Sequence, residues 1–311
     1  SSSECIPLLF STGVALGMFH DIKEMKSGCI LFDASSAGSN VIETPFRNEG
    51  NLFTAQWERS VSSSGSVSST KVVLKFIDLP SVPTLSLSSS SLHSHSHSRS
   101  NPHSQHFRTL LRSALTARTC GDCPFIVPLL CAFRDEHVKT ADKNGAYLVF
   151  PFYRQGDMIK WIKSCSPSVS QVRHVLKCVL HALSSLHVKG IVHCDLKPQN
   201  VLIDGDGNGL LCDFEGAVDC GERTVRLFSQ TMRIGSRGYI APELERTIKD
   251  KKEHPHPQPW SDMFAFGVLI EAVFDLLQGV SMPDDVRSIS SACQSEDPQH
   301  RPTAADLLAK M

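Results

Sequence analysis

The sequence predicts an α+β protein in two lobes. Three observations carry this. A chain of 311 residues is longer than one hydrophobic core usually organises. Short β-branched and aromatic runs gather in its first half. From about residue 157 onward, apolar residues fall at helical spacing instead. Hydrophobic residues at 41% and charged residues at 20% are ordinary for a globular protein. That composition excludes global disorder, a collagen-like chain and a small disulfide scaffold. Lys and Arg total 31 against 32 Asp and Glu, so the basic excess of a dedicated nucleic-acid binder is missing.

Residues 1–40 read as an N-terminal extension. Their longest apolar run, residues 6–19, is 14 residues long, too short to span a bilayer. It lacks the basic flank and small-residue cleavage site of a signal peptide. Residues 52–57 read as a strand. Seventeen of the forty-one residues from 60 to 100 are serine, including Ser94-His95-Ser96-His97-Ser98. Solvated, Ser/His-rich insertions are expected at about 60–70 and 81–104. Between them, Lys71-Val72-Val73-Leu74-Lys75-Phe76-Ile77 reads as a strand.

Phe107, Leu110, Leu111, Ala114 and Leu115 fall at helical spacing over 107–119. Residues 125–127 and 147–150 are expected as further short strands. Over 171–188, Val172, Val175, Leu176, Val179, Leu183 and Leu186 share one helix face. Residues 262–277 are apolar almost all round and predict a buried helix. The loop 249–257 reads as an inserted, solvated turn. No internal repeat is visible. Eleven scattered cysteines argue against a complete disulfide framework and for an intracellular setting. Cys120 and Cys123 form one C-x-x-C, open to a redox or metal role or to a plain pair of reduced thiols.

The chemistry is concentrated in three short segments. His193-Cys194-Asp195-Leu196-Lys197-Pro198-Gln199-Asn200 comes first, and Asp213-Phe214-Glu215 follows. Gly238-Tyr239-Ile240-Ala241-Pro242-Glu243 is third. In order and spacing these resemble the catalytic loop, metal loop and segment end of the eukaryotic protein kinase family, H-R-D-x-x-x-x-N, D-F-G and A-P-E. The resemblance covers roughly residues 41–311. It implies a β-rich N-lobe over about 41–150 and a helical C-lobe over about 151–311. It also implies ATP and Mg²⁺ as cofactors, and a protein substrate or scaffold partner. The Leu-Lys-Pro context resembles the Ser/Thr type.

Phosphoryl transfer needs positioning and charge stabilisation more than covalent help. On this resemblance Asp195 orients the proton of a substrate hydroxyl, and Lys197 steadies the transferring group. Asn200 and Asp213 supply hard oxygen ligands for Mg²⁺. Val72-Val73-Leu74-Lys75 resembles V-A-I-K, which would set Lys75 on the α/β-phosphates. Ala55-Gln56-Trp57 resembles the end of the second strand of tyrosine-kinase-like Ser/Thr kinases. That register makes Gly50 the third glycine of the phosphate loop, with Pro45 and Arg47 at the first two. Residues 147–153 resemble the hinge. There Phe150 is the gatekeeper, Pro151 offers its carbonyl and Tyr153 its N–H to adenine. Ser236 is expected to hydrogen-bond Asp195 and Lys197. Glu243 and Arg301 are expected to form an ion pair, and Asp262 to cap the catalytic-loop backbone.

Four departures bear on activity. No Asp or Glu occurs in the 43 residues from Leu79 to Gly121, where the family places the acidic partner of Lys75. Matching that position gives Ala114, Phe107 or Arg108. Glu215 replaces the glycine of the metal loop, either as a substitute partner for Lys75 or as a solvated side chain. The phosphate loop is poor in glycine. Cys194 replaces the Arg that would read a phosphate on Thr224, Ser229 or Thr231. Only 39 positions separate Asp262 from Arg301, so a family helix used for docking is missing or minimal. Two readings follow. One is an atypical Ser/Thr kinase that phosphorylates protein hydroxyls. The other is a pseudokinase acting as a nucleotide-binding scaffold.

Overall fold

The computed structural model describes residues 52–60, 67–78, 116, 120, 122–134, 145–220, 235–250 and 256–311, which fall into two compact units. Residues 1–40, the 81–104 insertion, Gly50, Pro45, Arg47, Ala114, Phe107 and Arg108 lie outside them, as do Thr224, Ser229 and Thr231.

The first unit is a four-stranded antiparallel sheet. Strand β1 (Leu52–Ser60) pairs with β2 (Val67–Asp78), Leu52 opposite Lys75 and Ser60 opposite Val67. With β3 (Cys131–Arg134) and β4 (Gly145–Pro151) the order is β1-β2-β4-β3. The ladder reaches further than the sequence suggests. Ser68, Ser69 and Thr70, expected in an insertion, pair with Arg59, Glu58 and Trp57. Main-chain groups make the ladder, so serine serves in it whatever its intrinsic preference. Strand β3 was not expected, because four residues without alternation give no periodic signal. Val72 is fully buried, while Val73 and Lys75 on the opposite face are half-buried, as the two-residue period requires. Lys71 Nζ lies 4.6 Å from the ring centroid of Phe152, a cation–π contact.

The second unit is mainly helical. Helix α1 (Met158–Cys165) starts where the Asp157 side chain accepts the Lys160 N–H at 2.9 Å. Helix α2 (Val169–Val188) opens on a capping box between Ser168 and Gln171. All six residues of its expected apolar face are buried. Two hairpins follow. Strand β5 (Ile191–Val192) pairs with β8 (Val218–Asp219), and β6 (Val201–Ile203) pairs with β7 (Gly209–Leu211). This nesting pins loops 193–200 and 212–217 at both ends by short strands. The expected strand at 125–127 reduces to one bridge, Ile126 to Leu211. Flanking it, the Val127 N–H donates to the Leu211 carbonyl and the Leu211 N–H to that of Phe125. These bonds join the described residues from Thr116 to Pro128 to the second unit, so a single cut near 150 does not divide the chain.

Helix α3 (Pro242–Asp250) takes in Lys249 and Asp250, so the expected solvated turn begins later than 249. Helix α4 (Pro259–Leu276) is buried almost all round. Helix α5 (Asp284–Cys293) is the one α-helix between α4 and Arg301, and α6 (Ala304–Leu308) packs on α2. Gly267 permits the close approach of α4 and α5. A Cβ there would meet the Ser290 carbonyl oxygen at 2.8 Å and Cys293 Cβ at 2.9 Å. No helix among the described residues is long and apolar enough to cross a membrane.

Candidate active site

The site starts from a buried carboxylate. Asp262, in the first turn of α4, is 1% exposed. Its Oδ2 accepts the His193 N–H at 2.8 Å and its Oδ1 the Cys194 N–H at 2.9 Å. His187 Nε2, at the end of α2, donates to Oδ2 at 2.9 Å. Burial alone would raise the Asp262 carboxyl. The hydrogen bonds from His187 and from the His193 main-chain N–H outweigh burial and hold it below the usual range. The core helix therefore fixes the start of the loop that bears Asp195.

His193 ties this loop to the next. Its Nε2 lies 2.9 Å from the Cys212 carbonyl, which can only accept, so Nε2 carries the proton. Nδ1 is then the acceptor for the Asp195 N–H at 3.2 Å. The ring is fully buried, edge-on to Phe214 with centroids 5.2 Å apart. The loop turns sharply here, with Cys194 at φ 66° and Asp213 at φ 63°, both left-handed.

Three polar side chains close a ring. Lys197 Nζ donates to Asp195 Oδ2 and to Ser236 Oγ, each at 2.8 Å. Ser236 Oγ donates to Asp195 Oδ1 at 2.8 Å. Asn200 Nδ2 adds bonds to the Asp195 carbonyl at 2.8 Å and to Oδ2 at 3.0 Å. Both Nδ2 hydrogens are thus committed, which leaves Oδ1 as the end a cation would meet. The Asn200 carbonyl accepts the Cys212 N–H at 3.0 Å, placing Asp213 one residue beyond that link. The donor set is hard oxygen, suited to Mg²⁺.

Further out, Arg301 holds Glu243 in a bidentate pair, at 2.9 Å to Oε1 and 2.8 Å to Oε2. The Arg301 side chain is 0% exposed and also donates to the carbonyls of Trp260 and Ser295. Tyr153 lies in the second unit, where burial, Asp204 and Cys212 push its phenol up to about 12. Lys75, Phe150 and Pro151 lie in the first unit. The coupling roles of His187 and His193 were not foreseen. His193 opens the quoted motif and so was visible, whereas His187 falls one position past Leu186 with no pattern of its own.

The sequence matches the family model described as protein kinase domain over residues 94–281. The chain belongs to the protein kinase domain family. Among curated relatives, it is 26% identical over 195 residues to the serine/threonine-protein kinase WNG1 of Toxoplasma gondii, covering 62% of this chain and 27% of that protein. It is 33% identical over 136 residues to the liver/testis phosphorylase b kinase gamma catalytic chain of Mus musculus, covering 43% and 31%. It is 31% identical over 163 residues to the serine/threonine-protein kinase MRCK gamma of Homo sapiens, covering 51% and 10%. Each match spans less than a third of the relative's own length. Membership brings the bilobal α+β kinase fold, and with it ATP and divalent-metal chemistry as the family's general use. Within this kinase domain, the ring of Asp195, Lys197 and Ser236 is linked through Asn200 to Cys212, the residue before Asp213.

Proposed function

We propose that the chain is an atypical serine/threonine protein kinase that transfers the γ-phosphate of ATP to protein hydroxyls. The observation that carries this is the Ser236 hydroxyl on Asp195 Oδ1 at 2.8 Å, with Lys197 bridging both residues. It is an arrangement in which a carboxylate receives a hydroxyl proton beside a fixed cation. ATP with Mg²⁺ supplies the phosphoryl group and the counter-charge. Asp195 orients and accepts the proton of the incoming hydroxyl, and Lys197 holds negative charge next to it. Asn200 and Asp213 offer oxygens to the metal. Lys75 and Gly50 are assigned to the phosphates. Phe150, Pro151 and Tyr153 are assigned to the adenine.

The test is Mg²⁺-dependent transfer from labelled ATP to a generic protein substrate, with Asp195→Asn purified in parallel. Transfer by the parent and its loss in the variant are expected. Equal labelling by both would assign the activity to a contaminant. An ATP·Mg thermal shift without turnover would favour the scaffold reading instead.

A further inference from the structure

We propose that Arg237 selects substrates whose phosphoacceptor is flanked by an acidic residue, so that the protein acts on acidic peptides. This rests on the transferase reading above. Arg237 sits at the corner of a four-residue turn from Ser236 to Tyr239, closed by the Tyr239 N–H on the Ser236 carbonyl at 3.0 Å. Gly238 is at φ +91°, the conformation that the third position of a type II turn demands and glycine supplies. The first residue of this turn is Ser236, whose hydroxyl is locked to Asp195 and Lys197. The turn is therefore anchored on the catalytic ring, and Arg237 is displayed from a fixed backbone one residue away. A guanidinium on such a stem reaches about 7 Å from its Cα, while consecutive Cα atoms lie about 3.8 Å apart. Its reach is therefore long enough to meet a residue flanking a hydroxyl held at Asp195.

Arg237 is exposed, and it has no hydrogen-bond or ion-pair partner among the described residues. Glu243 is bonded to Arg301, Asp262 to His187 and the loop backbone, and Asp195 to Lys197. Gln199, exposed in the same loop, is neutral. The one charge carried by the Ser236–Tyr239 turn is thus that of Arg237, and its planar fork matches a carboxylate. Exposed pairs of this kind are weak, so a modest selectivity is expected, expressed in KM because the contact exists before and during transfer.

The experiment compares short serine peptides with Asp, Ala or Lys on either side of the acceptor, by kcat/KM and, separately, by fluorescence-polarisation binding. The parent should prefer the Asp peptide to the Lys peptide by roughly three- to tenfold. Arg237→Glu should reverse the order, and Arg237→Lys should keep part of it. Arg154 provides the control. It too is an exposed turn-corner arginine, in a turn closed by the Gly156 N–H on the Tyr153 carbonyl and tied to β6. Arg154→Gln should leave the Asp/Lys ratio unchanged. An equal loss in both variants would mean a diffuse field and overturn the assignment. Equal kcat/KM for all peptides would overturn it while leaving the transferase reading intact. Arg237-dependent binding of the Asp peptide without turnover would support the selectivity and sink the transferase. Neither binding preference nor turnover would sink both.

Discussion

The imidazole of His187 and the carboxylate of Asp262 meet at 2.9 Å, on the same oxygen that takes the His193 main-chain N–H. This buried contact stabilises the catalytic-loop backbone from two helices at once. Asp262→Asn keeps the size but turns an NH₂ group toward at least one of those donors. The expected cost is about 3 kcal/mol of folding stability, read by urea unfolding at neutral pH. The pH dependence has a definite sign. The Asp262 carboxyl is lowered in the folded protein, so its contribution is fully present above the ordinary value of 3.8 and fades as pH falls through the lower folded value. The gap between parent and variant should therefore narrow as pH falls below about 3.8. A gap that widens on acidification would contradict it.

Ser236 bonds to both Asp195 and Lys197 at 2.8 Å, and those two meet each other directly at 2.8 Å. Ser236→Ala removes both of its bonds without creating a clash, and the Asp195–Lys197 pair loses the hydroxyl that fixes its orientation. Misplacement of a reacting group by about 1 Å costs up to roughly a hundredfold. The loss should appear in kcat more than in the KM for peptide. Ser236→Thr, which retains the hydroxyl, should restore most of it. An alanine variant with parental kcat would remove Ser236 from any positioning role.

The sequence made some of this legible and hid the rest for identifiable reasons. The contacts of Asp262, Ser236, Glu243 and Arg301 were legible through the resemblance to the protein kinase family, which implies them at these motif positions. The α2 face was legible because Val172, Val175, Leu176, Val179, Leu183 and Leu186 repeat at helical period and are all buried. His193 could not be read in the same way. Its partners are the Cys212 carbonyl and the Asp195 N–H, main-chain groups that any residue carries. Strand pairing by Ser68 to Thr70 was hidden for the same reason. Phe125 to Val127 looked like a strand, yet the chain there makes one bridge and then leaves the pairing.

Arg301 is fully enclosed while its partner Glu243 retains 24% exposure. The two halves of this pair should therefore respond differently to removal. Arg301→Met fills much of the volume but strips two carbonyls and a carboxylate of their donor, at about 3–5 kcal/mol. Glu243→Gln leaves the guanidinium its bonds to Trp260 and Ser295 and should cost less, about 1–3 kcal/mol. Chemical denaturation of both variants measures the difference. Equal costs would mean that the carboxylate, rather than the buried cation, sets the penalty.

On the proposed function Asn200 and Asp213 both offer oxygen to a metal, and their other bonds differ. Asn200 also donates twice to Asp195. Asp213→Asn should therefore remove the Mg²⁺-dependent part of the ATP thermal shift while leaving ligand-free stability close to parental. The lost part follows from mass action, since ligand stabilises only as far as its concentration exceeds Kd. Asn200→Asp keeps a hard oxygen but replaces the donating amide with a second carboxylate beside Asp195. Turnover should fall in that variant even where the Mg²⁺-dependent shift survives, because like charges at this distance favour protonation of one of them. A protonated Asp195 can no longer accept the hydroxyl proton. The activity of Asn200→Asp should recover partly as pH is raised, and a flat pH profile would show that the amide donors act only through geometry.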